Sequence, residues 1–217
     1  MLNARSVVNN LIMMNVVIFL AQFLSPKLDA TLTSTFGLHA LQSVNFQVYQ
    51  LVTYMFLHGG VSHLFFNMFA LWMFGRVLEW DLGSKRFLTF YMVSGIGAGV
   101  LNLFVNYWEI NSLISTYSLN DLNLQAHINR MTTIGASGGV FGVLLGFGLI
   151  HPNERLMLLI PPIPIKAKYF VIIYGVLELV LGFTQRTSNI AHFAHIGGMI
   201  FAYLLLRYWK AKGRIYY

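Results

Sequence analysis

The sequence contains no cysteine. That removes disulfides, thiol nucleophiles and thiolate metal sites, and it says nothing about compartment. Charge is also scarce. Asp, Glu, Lys and Arg make up 10% of the 217 residues, where a soluble domain carries about 25%. Acids are the rarer sign, seven against fourteen Lys and Arg. Proline is sparse, and four of the five (Pro152, Pro161, Pro162 and Pro164) fall in one loop, so long apolar runs proceed unbroken. What fills the chain instead is apolar: 57% hydrophobic residues and a mean hydropathy of +0.64. These values point to a multi-pass protein of the lipid bilayer, of a length suited to one domain. The net charge of +7 does not imply nucleic acid, because the basic residues form no single patch. They sit at the ends of apolar runs, as topology signals do. Met1 to Ser6 holds one arginine, and the run after it reaches Ser25-Pro26 without a small-x-small cleavage site. The first run is therefore expected to stay as a helix.

Six runs read as spans: 7–24, 62–78, 87–107, 132–150, 169–183 and 190–209. Pro26 ends the first. The connection 27–50 has little charge and many apolar residues, which suits a loop in the membrane interface with short amphipathic helices. His58-Gly59-Gly60 breaks an apolar stretch, and Ser62 is a plausible N-cap for the second span. A charged turn (79–86), a polar connection (108–131), the proline-containing loop (152–168), a polar turn (184–189) and a basic tail (210–217) complete the chain. With six spans, eleven Lys and Arg share the side of both termini, and Lys27, Arg130 and Arg186 lie opposite. The positive-inside rule then makes both termini cytoplasmic. The expected fold is an all-α membrane protein, a six-transmembrane-helix bundle treated as one domain over 1–217, with a core of about 47–209.

This topology sends spans two, four and six into the bilayer from the outer side. His63 and Asn67, Ser137, and His195 then lie in the first turns of those three spans, roughly 5–12 Å below each start at 1.5 Å per residue. Polar residues inside a span are costly and point to function. A serine hydroxyl becomes a nucleophile when a base takes its proton, and His195 is the natural base. His63 and Asn67 share one helical face at i, i+4. They offer side-chain donors for an oxyanion beside the Ser137 amide. No acid is placed at this depth: Glu79 and Asp81 fall on the other side, and Glu178 reads as too deep. The expectation is thus a Ser137–His195 dyad whose ring is held by packing, with Phe141, one turn below Ser137, stacked on it. Gly138, Gly142 and Gly146 form a small-residue stripe, and Gly198 with Ala202 forms another. Such stripes let two helices approach closely.

Three stretches carry a family resemblance: His63-Leu64-Phe65-Phe66-Asn67, Gly135-Ala136-Ser137-Gly138 and Ala194-His195-Ile196-Gly197-Gly198. In order and placement they resemble the three signature motifs of rhomboid intramembrane serine proteases, in the basic six-helix bacterial form, over roughly 47–209. Each motif alone is weak; three on alternate spans are specific. The resemblance implies Ser137 as nucleophile and His195 as general base, with His63, Asn67 and the Ser137 amide as the oxyanion site. It implies a cap over the site at 184–190, and the fifth span as a lateral gate faced by Phe66. It implies hydrolysis of peptide bonds in transmembrane proteins, no cofactor, and an inner (plasma) membrane location with the site in the outer leaflet. One departure is visible: many members carry a Trp-Arg pair in the first connection, where this chain has Tyr49-Gln50.

Blander readings compete. Ser137 alone suits a packing role beside Gly135 and Ala136. His192 rivals His195, three residues earlier and without the following Gly-Gly. His63 and Asn67 can simply hold the first connection. His58 reads as a structural loop residue, and His39, His127 and His151 as solvated or interfacial. His63, His192 and His195 lack an acid or cysteine to complete a metal site, so no metal is expected. Two rival functions remain. An inactive rhomboid-like protein that binds transmembrane clients usually lacks the Ser or the His. A transporter wants a polar path through the whole bilayer or inverted repeats.

Overall fold

The computed structural model describes residues 6–116, 122–157, 162–184 and 192–215. Helix α1 (Val7–Leu24) starts at Ser6, whose side chain accepts a hydrogen bond from the Asn9 amide. Val8, Leu11, Asn15, Phe19 and Gln22 recur every three or four residues and form its buried face. Met13, Val17, Leu20 and Phe23 point outward. Ser25 caps α2 (Pro26–Phe36), with Pro26 in its first turn where no amide is required. Strand β1 (Leu38–His39) follows, then α3 (Gln50–Thr53), a 3-10 turn (Tyr54–Phe56) and α4 (Val61–Ala70). A π-helical segment (Leu71–Gly75) joins α4 to α5 (Arg76–Leu82). Beyond Gly83 come α6 (Ser84–Thr116), α7 (Leu122–Arg130), β2 (Thr132–Thr133) and α8 (Ser137–Ile150). The chain closes with β3 (Arg155–Met157), β4 (Pro164–Lys166), α9 (Ala167–Thr184) and α10 (His192–Ala211).

Helices α6, α8 and α10 form the centre, and they meet through glycine. A Cβ built on Gly198 of α10 would fall onto the backbone of Gly138 in α8. One built on Gly138 would collide with Ala98 of α6, and one on Gly197 would sit 3.0 Å from the Ala98 Cα. Around this contact Leu71, Phe87, Phe90, Val143 and Leu206 are fully or almost fully buried. Polar side chains are buried too, among them Asn15, Ser94, Asn102 and His192, while Phe23, Phe66, Trp80 and Ile172 face outward. An exterior this apolar suits lipid rather than water. Four described helices are long and apolar enough to cross a membrane: Val7–Leu24, Val61–Leu82, Ser84–Ser115 and Ala167–Thr184.

The structure corrects several sequence-based boundaries. The stretch 79–86 is not a loose turn: α5 continues to Leu82 and α6 starts at Ser84. Helix α6 runs to Thr116, well past the expected end at 107. The fourth helix starts at Ser137, because Thr132 and Thr133 instead pair antiparallel with His39 and Leu38. The fold is therefore mostly helical rather than all-α, since β3 and β4 also pair, Leu156 opposite Ile165. His39 is buried, with Nε2 2.9 Å from the Ser34 carbonyl, so it is not solvated. His151 lies 2.7 Å from Asp81. Residues 185–190 of the expected cap lie outside the described residues.

Candidate active site

Ser137 is the first residue of α8. The strand pair ahead of it and the hydrogen bond from the Gly135 amide to the Tyr54 carbonyl (2.9 Å) fix how the chain enters the helix. Gly135 has φ +132°, a conformation that side chains disfavour. A Cβ there would also lie 2.9 Å from the His63 ring. Both reasons require glycine, and together they bring His63 up to the start of α8. The first amides of a helix have no partner within it, so Ser137, Gly138 and Gly139 present N–H groups at its positive end.

His195 reaches Ser137 across the Gly138–Gly198 contact. Its Nε2 lies 2.8 Å from Ser137 Oγ. Its ring lies flat on Phe141, with centroids 4.2 Å apart and planes 6° from parallel. Its Nδ1 lies 2.9 Å from Oε2 of Glu178 on α9, and the same oxygen is 2.7 Å from Nδ1 of His192. A nitrogen this close to a carboxylate carries the proton, so His195 presents a bare Nε2 to the serine. Ser137 O–H then donates to His195, and His195 N–H donates to Glu178.

His63 and Asn67 lie one turn apart on α4. Asn67 is buried, and its amide nitrogen donates to the His63 carbonyl at 2.9 Å. That nitrogen carries a second N–H. Nδ1 of His63 lies 3.4 Å from the Gly59 amide nitrogen, which donates to it. The His63 ring packs edge-on against His58, with centroids 5.1 Å apart. Burial, and then the neighbouring His63, pulls His58 down to about 3, so it is neutral at physiological pH. Burial pushes the Tyr54 phenol up, and its hydroxyl donates to the Gly95 carbonyl at 2.7 Å. Phe66 is 64% exposed, its ring against Phe65 of its own helix.

Ser137, His195, Phe141, His63, Gly135, Gly138 and Gly198 thus form one neighbourhood. Sequence reasoning missed Glu178, which it placed too deep. Helices α9 and α10 follow one another in the chain, so the end of α9 and the start of α10 lie together. Glu178 is six residues from Thr184, and His195 is three from His192. Counting back from that shared end, rather than down from the start of each span, was the available signal. The pair of histidines at i, i+3 was a second one, since a lone buried carboxylate needs donors.

The Rhomboid domain family model matches residues 45–211. The Rhomboid protease AarA of Providencia stuartii is 28% identical over 219 residues, covering 94% of this chain and 72% of that protein. The Rhomboid protease GluP of Bacillus subtilis is 32% identical over 152 residues, 70% of this chain and 24% of that one. Rhomboid protein 1, mitochondrial, of Saccharomyces cerevisiae is 28% identical over 149 residues, 69% of this chain and 38% of that protein. The aligned stretch is thus well under half the length of the yeast and Bacillus proteins.

Proposed function

The chain belongs to the rhomboid family, and from that membership we propose that it is an intramembrane serine endopeptidase. The observation that carries the reading is the 2.8 Å contact between Ser137 Oγ and His195 Nε2 at the start of α8. Ser137 Oγ attacks the carbonyl carbon of a peptide bond, and its proton passes to His195 Nε2. The oxyanion is received by the Ser137 amide at the helix start and by N–H groups of His63 and Asn67. Collapse breaks the C–N bond, and His195 returns the proton to the leaving amine. Water then attacks the acyl-enzyme with His195 again taking its proton, and the acid product leaves Ser137 free. Phe141 holds the imidazole plane by stacking.

The same reading covers the wider frame. One domain spans 1–217, with its core at about 47–209, a first span at 7–24 and a basic tail at 210–217. Six helices cross the bilayer, α8 and α10 among them, with both termini in the cytoplasm of a bacterial cell. The site then lies in the outer leaflet of the inner membrane. Substrates are transmembrane proteins, entering from the lipid past α9 and Phe66. Mass of basic residues on one side supports the orientation.

The test is cleavage of a tagged single-span protein in liposomes. Wild type is expected to give a product and Ser137→Ala none, with both inserted and folded alike. Equal cleavage by the two, or no cleavage by wild type over several substrates together with no fluorophosphonate labelling of Ser137, would remove the proposal.

A further inference from the structure

We propose that Glu178 makes the Ser137–His195 pair a relay of three groups, as the positioning residue that fixes the tautomer and orientation of His195. The inference rests on the reading of Ser137 as nucleophile. Four observations carry it. First, Glu178 Oε2 lies 2.9 Å from His195 Nδ1, while Ser137 Oγ lies 2.8 Å from Nε2 of the same ring. The carboxylate, imidazole and hydroxyl are therefore in series, and each proton position follows from its neighbour. Second, Glu178 is a buried acid, 8% exposed, on a helix whose other residues are mostly apolar. An ionised carboxylate so placed is expensive unless hydrogen-bonded. Third, His192 supplies a second donor at 2.7 Å to the same oxygen. Two N–H groups converging on one oxygen hold the carboxylate in a single rotamer, and the carboxylate in turn holds His195. Fourth, the separations are those of charge-assisted hydrogen bonds. The two rings and the carboxylate are thus joined by hydrogen bonds.

The expected consequence is specific to catalysis. A glutamine at 178 offers an N–H to His195 Nδ1 as readily as an oxygen. The ring can then take the opposite tautomer, with its proton on Nε2, where it no longer accepts from Ser137. Binding of the substrate segment does not involve this bond, so KM should hold while kcat falls.

The experiment measures kcat and KM on a tagged single-span protein in liposomes for wild type, Ser137→Ala, Glu178→Gln and Glu178→Asp. Glu178→Gln is expected to lower kcat by about 10²-fold or more, with KM changed less than about twofold. Glu178→Asp keeps the charge, and is expected to recover about tenfold of that loss. Alongside, ¹⁵N-histidine spectra in micelles should show His195 of wild type as the Nδ1–H tautomer, with the proton moving to Nε2 in Glu178→Gln. Unchanged kcat in Glu178→Gln, equal losses in Gln and Asp, or an Nε2–H tautomer in wild type would each overturn the proposal. The wild-type spectrum decides even if the Gln variant does not fold. An inactive wild type would instead overturn the protease reading, and this proposal with it.

Discussion

At the scale of single residues, the site depends on atoms that are missing. Gly198 has no side chain, and a Cβ there would overlap the carbonyl of Gly138. Gly198→Ala must therefore push α10 away from α8, costing about 1–3 kcal/mol of stability. It also lengthens the Ser137–His195 contact, and a misplacement near 1 Å lowers kcat about 10²-fold. Gly175→Ala is the control, since its Cβ would meet only the flexible end of Met199, at 3.2 Å. Thermal unfolding and kcat of the two variants check this: Gly198→Ala should lose both and Gly175→Ala neither. A second residue acts through its charge. Burial pulls His58 to about 3, whereas an unfolded histidine titrates near 6.5. Between those values the unfolded chain holds a proton that the folded chain refuses, so stability is full above about pH 6.5 and is lost as the pH falls toward 3. Leucine at this position cannot titrate. The fall in melting temperature between pH 7.5 and pH 5 should be smaller in His58→Leu than in wild type, and equal falls would refute the assignment.

Among the elements, two side chains hold whole segments. The Glu79 carboxylate accepts from the Val7 and Val8 amides at 2.7 and 3.0 Å and from the Ser6 and Ser84 hydroxyls, both at 2.7 Å. It thereby closes the N-terminus of α1, satisfying two amides that a helix leaves open, and ties that end to the start of α6. Glu79→Ala is expected to cost about 2–4 kcal/mol, read as a lower melting temperature in micelles. Glu79→Gln keeps one acceptor and should fall between. The other segment is the first connection, which Gln50 holds together. Gln50 is buried. Its amide nitrogen donates to the Thr35 and Asn45 carbonyls (3.2 and 2.9 Å), and its oxygen accepts from the His39 and Gln47 amides (3.3 and 3.1 Å). These cases mark what a sequence makes legible. Apolar runs located α1, α4 with α5, α6 and α9, because lipid demands long apolar stretches. The end of α6 was hidden, because Asn106, Glu109 and Asn111 end the apolar run without ending the helix, which tolerates such residues at little cost. The pairing of β1 with β2 was hidden because two residues carry no periodicity. Ser137 and His195 stood out through their glycine-rich surroundings. Glu178 did not, since its partners sit on the next helix and only the packing of α9 on α10 brings them together.

For the whole molecule, the chemistry depends on which way it faces across the bilayer. The Ser137 hydroxyl and the His195 and His63 rings gather at the N-terminal ends of the central helices α8 and α10. In the proposed six-span arrangement Lys85, Arg86 and Lys212 belong to the opposite side, which would hold eleven of the fourteen Lys and Arg. If that basic end faces the cytoplasm, water for the hydrolysis arrives from outside the cell, and products cut at Ser137 are released outward. The absence of cysteine makes the orientation directly measurable, because any cysteine introduced is the only one in the chain. Thr31 on α2 and Ala126 on α7 are on the expected outer side; Lys85 and Lys212 are on the inner. In intact cells a membrane-impermeant maleimide should label Thr31→Cys and Ala126→Cys, while Lys85→Cys and Lys212→Cys should react only after the membrane is opened. The opposite pattern would invert the topology and place the site in the inner leaflet. Labelling of Ala126→Cys and Lys85→Cys from the same side would mean that α6, the 33-residue helix between them, does not cross, and the six-span arrangement would fall.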